Sequence, residues 1–487
     1  MTQNSGKPLS SKTANAACGG PQGGGMDSRR NDGAVAEASA QYLAQAAGHA
    51  TPASHDCPPG YKRTEVGVIP EDWEATTIGH VTKWLSGGTP NRKIEKYWQG
   101  NIPWISGSTL KSLELRTSDQ FLSEEGVDAG SKMAPVNSTL LLVRGSALHS
   151  EIRAGLVVKP VCFNQDVKAL IPKKEIYPKY LTLYILAMND ELLKLVSSAG
   201  NSAGVLDTEL VKNFKFFQPS RKEQTAIANA LSDVDALISE LEKLIAKKQA
   251  IKTATMQQLL TGRTRMPQFA LREDGTPKGY KQSELGEIPE DWDAIKMGDL
   301  ARIQRGASPR PIDSPIWFDR NSTVGWLRIS DVSKTNKYLT ETTQSLSELG
   351  IANSRFVPKL NLVMSICATV GKPIITKKDL CIHDGFVVFN GLSVNQDFMY
   401  YILKELEDEW SKQGQTGSQM NLNTDLINGT YVAVPKDDTE QTAIATILSD
   451  MDEEIQALQQ RLAKTRQIKQ GMMQELLTGK TRLVKPE

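Results

Sequence analysis

Cysteine is scarce and unpaired in pattern. The five cysteines of this 487-residue chain (Cys18, Cys57, Cys162, Cys367 and Cys381) are odd in number and include no CxxC pair. A disulfide framework and a cysteine-based zinc site are therefore poorly supported. Charge of one sign is not in excess either: 57 Lys and Arg face 56 Asp and Glu, a net of +1. That excludes a histone-like or polybasic membrane protein and leaves room for local basic faces. The apolar stretch around Asn361–Gly371 is far short of a membrane span. The first residues, Met1 to Lys7, have no apolar segment behind them, so secretion is not expected and a cytoplasmic location is.

Catalytic signatures are missing as well. The chain has no GxxxxGK[ST] loop to cradle a nucleotide phosphate, no GxGxxG after a strand and no HExxH. Its five histidines (His49, His55, His80, His149, His383) do not stand at metal-ligand spacing. Ser108-Thr109-Leu110-Lys111 matches the SxxK of serine acylases, but the companion SDN and KTG motifs are absent. No nucleophile comes with a base.

The chain does contain itself twice. Tyr61–Trp73 (YKRTEVGVIPEDW) returns as Tyr280–Trp292 (YKQSELGEIPEDW) with nine of thirteen positions identical. Glu223–Pro267 aligns without gaps to Glu440–Val484, with 24 of 45 identical, opening on EQTAIA and closing on LLTG(R/K)TR. Between these anchors only markers survive. Trp104–Ser108 answers to Trp326–Ser330, Cys162–Gln165 to Cys381–Asp384, and Ser202–Leu206 to Ser418–Leu422. One module has been duplicated with its ends held fixed and its middle free to change.

The long repeat reads as a helix. Ser220–Glu223 is a capping-box pattern, and Asp437–Glu440 repeats it with an aspartate cap. Apolar residues follow in alternating steps of four and three: Ile227, Leu231, Val234, Ile238, Leu241 and Ile245, then Ile444, Leu448, Met451, Ile455, Leu458 and Leu462. That is a narrow heptad seam of packing positions. Gly262 and Gly479 stand where a glycine ends a helix. Each helix spans 39 residues by this reading, about 58 Å. Equal modules placed two-fold would run the two helices antiparallel with a globular domain at each end.

The variable regions mix short β-rich runs with helices. Ser138–Arg144 and Asn361–Ile366 are the best strands, and Tyr180–Val196 and Met399–Trp410 read as amphipathic helices. The expected class is α+β: two mixed α/β domains, a pair of long antiparallel coiled-coil helices and an internal pseudo-two-fold repeat. Basic residues clump near aromatics between Lys83 and Arg116 and between Arg302 and Arg328. Arginine is shaped to reach guanine edges bidentately and lysine serves phosphates. The candidate DNA contacts are Arg92, Lys93, Lys96, Ser108, Lys111, Arg144, Arg302, Arg305, Arg310, Arg328 and Lys334. The competing reading is that these charges solvate a surface and that the tryptophans between them are core.

This organisation resembles the specificity subunit of type I restriction–modification systems. The resemblance covers Tyr61 to the C-terminus and rests on IPEDW, on Gly87-Gly88-Thr89-Pro90 with Trp104-Ile105-Ser106, on the EQTAIA…LSD…LLTG helices, and on their order. It implies a flexible extension over 1–60 outside the family pattern, target recognition domains over 61–220 and 292–437, and repeat helices over 221–262 and 438–479. A linker over 263–291 and a tail over 480–487 complete the division. It also implies a non-catalytic reader of a bipartite, asymmetric site in double-stranded DNA. Two methyltransferase subunits and the motor–nuclease subunits would be its partners, with no membrane involved. S-adenosylmethionine, ATP and Mg²⁺ would sit in those partners and no metal or cofactor in this chain. The only Pro-Pro, Pro58-Pro59, lies beside Cys57 and not in an adenine-methylating motif. A coiled-coil scaffold without base readout and a stand-alone methyltransferase or nuclease are the rival readings.

Overall fold

Ser220 starts the first long helix: its hydroxyl accepts the backbone N–H of Glu223 at 3.3 Å. Asp437 starts the second, its carboxylate accepting from Thr439 N at 2.8 Å and from the Thr439 hydroxyl at 2.6 Å. The helices run Arg221–Leu260 (40 residues) and Asp438–Leu476 (39 residues). Each stops at a glycine with positive φ, 68° at Gly262 and 75° at Gly479. Thr264 N then closes onto Gln258 O and Thr481 N onto Glu475 O, both at 3.2 Å. This is the wide carbonyl-capping turn that ends helices in a left-handed residue. Any Cβ at Gly262 would lie 2.5 Å from Pro289, and one at Gly479 2.5 Å from Pro70. Glycine is required there both by φ and by space.

This computed structural model describes residues 57–64, 67–198, 203–413 and 422–484. Almost all of the 1–60 extension lies outside the described residues, as do Ser202 and Ser418–Asn421 of one marker pair. The chain divides into two units, residues 1–238 with 464–487 (unit 1) and residues 239–463 (unit 2). In unit 1, Leu231 and Val234 are buried, Ile238 is half-buried, and Asp235 pairs with Lys469 at 2.6 Å. In unit 2, Leu241, Ile245, Leu448 and Ile455 are buried, with Met451, Leu458 and Leu462 half-buried. There Lys248 pairs with Glu454 at 2.7 Å and Lys252 with Asp452 at 2.5 Å. One residue number rises as its partner's falls, so the helices pair antiparallel. Asp452 and Lys469 are the repeat counterparts of Asp235 and Lys252. One contact is thus made twice with its partners exchanged.

Each unit builds the same pair of sheets. In unit 1 a five-stranded sheet runs Thr82–Ser86, Val167–Pro172, Thr139–Leu142, Ala154–Val157, Glu114–Leu115. Beside it a four-stranded sheet runs Phe121–Leu122, Ile102–Ile105, Val161–Phe163, Lys132–Ala134. Unit 2 repeats the first order as Arg302–Arg305, Phe386–Asn390, Leu362–Ser365, Pro373–Thr376, Tyr338–Leu339. It repeats the second as Gln344–Ser345, Gly325–Leu327, Leu380–Ile382, Arg355–Val357. The central strands Thr139–Leu142 and Leu362–Ser365 are buried throughout, which is why they read as continuous apolar runs. The helix expected at Met399–Trp410 extends over Gln396–Gln413. The one expected at Tyr180–Val196 breaks into Pro178–Ala187 and Asn189–Leu193, and Val196 already belongs to a strand paired with Gly204–Leu206. Sheet pairing overrides helical spacing at that end.

The two repeated sequences meet in a buried junction in each unit. In unit 2, Trp292 Nε1 donates to Glu440 at 3.1 Å. Arg265 donates to Glu440 at 2.8 and 2.5 Å and to Asp291 at 2.8 and 3.0 Å. In unit 1, Trp73 Nε1 donates to Glu223 at 3.0 Å. Arg482 donates to Glu223 at 2.6 and 2.8 Å and to Asp72 at 2.9 and 2.7 Å. The Tyr280 and Tyr61 hydroxyls donate to Gly262 O (3.2 Å) and Gly479 O (3.0 Å). In both units IPEDW and EQTAIA come from one copy of the repeat and the arginine from the end of the other copy. The capping-box reading is corrected here in one respect: Ser220 caps, but the Glu223 carboxylate serves Trp73 and Arg482.

Acid should loosen these junctions. The Arg482 hydrogen bond holds Asp72 below its ordinary value of 3.8. Burial pushes Asp291 up, but hydrogen bonds from Arg265 and Lys278 and their charges outweigh it and leave that carboxyl lowered too. A depressed folded-state pKa gives stability that is present above the ordinary carboxylate value and lost as pH falls through the folded one. Melting temperature is expected to hold from pH 7 to about 5 and to fall steeply below about 4. A flat profile down to pH 3 would show that the junctions contribute little.

Candidate nucleic-acid interface

In unit 1 the strand ends around Trp104–Ser108, Leu142–Ala147 and Asn164–Asp166 enclose an open polar cleft of about 640 Å³. Four of the expected contacts, Arg92, Ser108, Lys111 and Arg144, line it. They are not equally available. The Arg92 guanidinium lies over the rings of Trp98 and Trp104, 4.9 and 5.4 Å from their centroids, a stacked arrangement that uses its face. Arg144 and Lys111 are exposed, and their side chains have no partner among the described residues. Ser108 shares a hydrogen bond with Ser106 at 2.9 Å. The structure places Lys93 and Lys96 outside the cleft; Lys96 forms a solvent-exposed ion pair with Glu125 at 2.7 Å.

Unit 2 brings two of its expected cations, Arg305 and Arg310, to Asp384. Arg305 Nε donates to the Asp384 carbonyl at 2.6 Å, and Arg310 stands 3.7 Å from its carboxylate. The Ser308 hydroxyl donates to the same carboxylate at 2.6 Å and holds its pKa down, so Asp384 is ionised. Burial lowers the pKa of the neighbouring His383, which is neutral at pH 7. Arg328 Nε donates to Gln344 at 2.8 Å. Arg302 is exposed at the end of an edge strand. Lys334 lines a different groove in this unit, of about 840 Å³. On that groove Lys337 is buried against Tyr338, Tyr400 and Tyr401 (5.2, 5.2 and 4.8 Å) and bonds Asp397 at 2.7 Å and Ser449 at 2.9 Å. That lysine ties the sheets to the second long helix within the unit.

Three of the tryptophans among the basic clumps are core, while Trp84 and Trp98 are half-buried. Trp104, Trp317 and Trp326 are 1%, 8% and 0% exposed, so they offer no face for a base to stack on. Arg153, Asn164 and Gln165 in the unit 1 cleft and His383 and Asp384 in unit 2 were not among the expected contacts. The matched runs Cys162–Gln165 and Cys381–Asp384 carried the signal, because both keep their place while their side chains change. The cysteines inside them are not reactive: burial pushes Cys162 up to about 11 and Cys381 to about 12. Among the described residues no three His, Cys, Asp or Glu side chains could hold a metal ion together.

Residues 70–253 and again 289–467 match the model of the type I restriction modification DNA specificity domain. The chain belongs to this specificity family. The type I restriction enzyme EcoR124I/EcoR124II specificity subunit of Escherichia coli is 31% identical over 172 residues, 35% of this chain and 42% of that one. The MjaVIII specificity subunit of Methanocaldococcus jannaschii is 26% identical over 438 residues, 85% of this chain and 94% of that one. Among solved structures, a chain described in work on assembly and conformational transition of the type I R-M system aligns with TM-score 0.53 at 14% identity. It covers 85% of this chain and 99% of its own length. The S subunit from M. genitalium aligns with TM-score 0.51 at 15% identity, covering 86% and 98%. These likenesses show that the specificity-subunit fold is present: two mixed α/β sheet domains with long antiparallel helices. Among the described residues no helix is long and apolar enough to cross a membrane.

Proposed function

We propose that this chain is the non-catalytic DNA-reading subunit of a type I restriction–modification complex, each unit reading one half of a split, asymmetric site. One observation carries the reading. Two copies of one frame present different polar side chains at the same strand ends, Arg144, Asn164 and Gln165 in unit 1 against Cys367, His383 and Asp384 in unit 2. A frame kept for stability alone would have no reason to exchange them, whereas two different half-sites demand it. Two methyltransferase subunits dock on the repeat regions, and motor–nuclease subunits join them. S-adenosylmethionine, ATP and Mg²⁺ belong to those partners. With a net charge of only +1, this chain supplies few of the phosphate contacts that dominate DNA affinity. The partners grip the duplex and this chain chooses where.

Long-read methylome sequencing of a host expressing the full system tests this. The expected result is one asymmetric motif interrupted by unspecified bases. A perfect palindrome, or methylation without a motif, would refute it.

A further inference from the structure

We propose that Arg144 in unit 1 and Arg328 in unit 2 each read a guanine of their own half-site, from different positions of one shared frame. This deepens the DNA-reading assignment and rests on it. The frame is fixed by equivalent bonds. Trp104 pairs with Cys162 and Trp326 with Cys381 in parallel strands. Ser106 N donates to Thr109 Oγ1 at 2.8 Å, and Arg328 N to Asp331 at 3.0 Å. The Thr89 hydroxyl meets Gln165 at 2.6 Å, and the Ser308 hydroxyl meets Asp384 at 2.6 Å. Leu206 N donates to Val143 O at 2.9 Å, and Leu422 N to Ile366 O at 2.8 Å. Ser106 therefore corresponds to Arg328, and Arg144 to Cys367.

An arginine stands at one of these two positions in each unit, never at both. The other arginines around these strand ends each meet a protein group. Arg92 is stacked on two tryptophans. Arg153 donates to Gly107 O at 2.9 Å and pairs with Glu151 at 2.6 Å. Arg305 and Arg355 each turn Nε to a backbone carbonyl, of Asp384 and of Arg305 respectively, and Arg310 stands beside the Asp384 carboxylate. Arg144 keeps its whole guanidinium unpartnered among the described residues. Arg328 is anchored through Nε by Gln344, which leaves both terminal Nη groups without a partner there and fixes their direction. Two parallel N–H donors match the O6 and N7 acceptors that guanine alone presents in the major groove. Neither counterpart can substitute: Ser106 is bonded to Ser108, and Cys367 is a short thiol raised by burial.

The test uses the full chain assembled with its methyltransferase subunits and synthetic duplexes carrying the methylated site. Replacing each guanine in turn with 7-deazaguanine removes one acceptor of the bidentate pair. One such replacement in each half-site is expected to weaken binding by the wild-type complex roughly tenfold. Arg144→Ala should erase that sensitivity in one half-site and Arg328→Ala in the other. Should an alanine variant not assemble, Arg144→Met and Arg328→Met keep the aliphatic stem without the donors and should show the same loss of discrimination. A half-site without guanine, both variants acting on the same half-site, or equal weakening on every sequence (a phosphate contact) would overturn the assignment. A wild-type complex that binds all duplexes alike would instead refute the DNA-reading function itself.

Discussion

Replacing Arg265 by alanine is expected to lower the melting temperature of the chain by roughly 10 °C. The guanidinium donates four hydrogen bonds to two carboxylates. Its side chain is 6% exposed, and that of Glu440 2%. Removing it leaves Glu440 buried with only the Trp292 N–H as donor. Breaking a buried pair from one side costs about 3–5 kcal/mol, because the remaining charge is uncompensated. In a unit of this size each kcal/mol moves the midpoint by about 2–4 °C. Arg482→Ala should cost less, since Arg482 and Asp72 are 16% and 43% exposed and solvent screens part of the pair. Pairing Arg265→Met with Glu440→Gln should recover part of the loss, because no lone charge remains. Calorimetry that finds the midpoint within about 2 °C of wild type for Arg265→Ala would show that the repeats are not held by this junction.

Lengthening both long helices by one heptad should widen the unread gap of the DNA site by about three base pairs. Seven residues add about 10 Å of helix, and base pairs stack every 3.4 Å. Both helices must change together, because Asp235–Lys469 in unit 1 and Lys252–Asp452 in unit 2 hold them in register. Duplicating Leu241–Lys247 and its repeat counterpart Leu458–Lys464 adds a whole heptad to each seam and keeps the apolar positions in phase. The methylated motif should keep both half-sites and change only its spacing. A motif with altered bases and an unaltered gap would mean that the helices do not space the readers.

Repetition made the frame legible. A 45-residue match at one offset needs no propensity argument, and the seam Leu231, Val234, Leu241, Ile245 can be read from apolar spacing because burial follows it. What the repeated residues do was not legible. Glu223 looks like a capping residue because the same carboxylate chemistry suits a helix N-terminus and a buried arginine. Only the fold brings Arg482, 259 residues away, to it. Gln224 is similar: its amide accepts from Tyr177 N at 2.7 Å and donates to Pro219 O at 2.9 Å, contacts that no spacing announces. In the candidate site, composition could gather the cations but not rank them. Arg92 and Arg144 look alike in sequence, and only packing shows one stacked on tryptophan and the other open to the cleft.

If one duplicated frame carries two independent readers, either reader can be exchanged without disturbing the other. Exchanging residues 292–437 for the corresponding region of another specificity subunit, and sequencing the methylome of a host carrying the chimaera with its partner subunits, tests it most directly. The expected motif keeps one half-site and the length of the gap and has the other half-site replaced. A motif altered in both halves, or in neither, would contradict it.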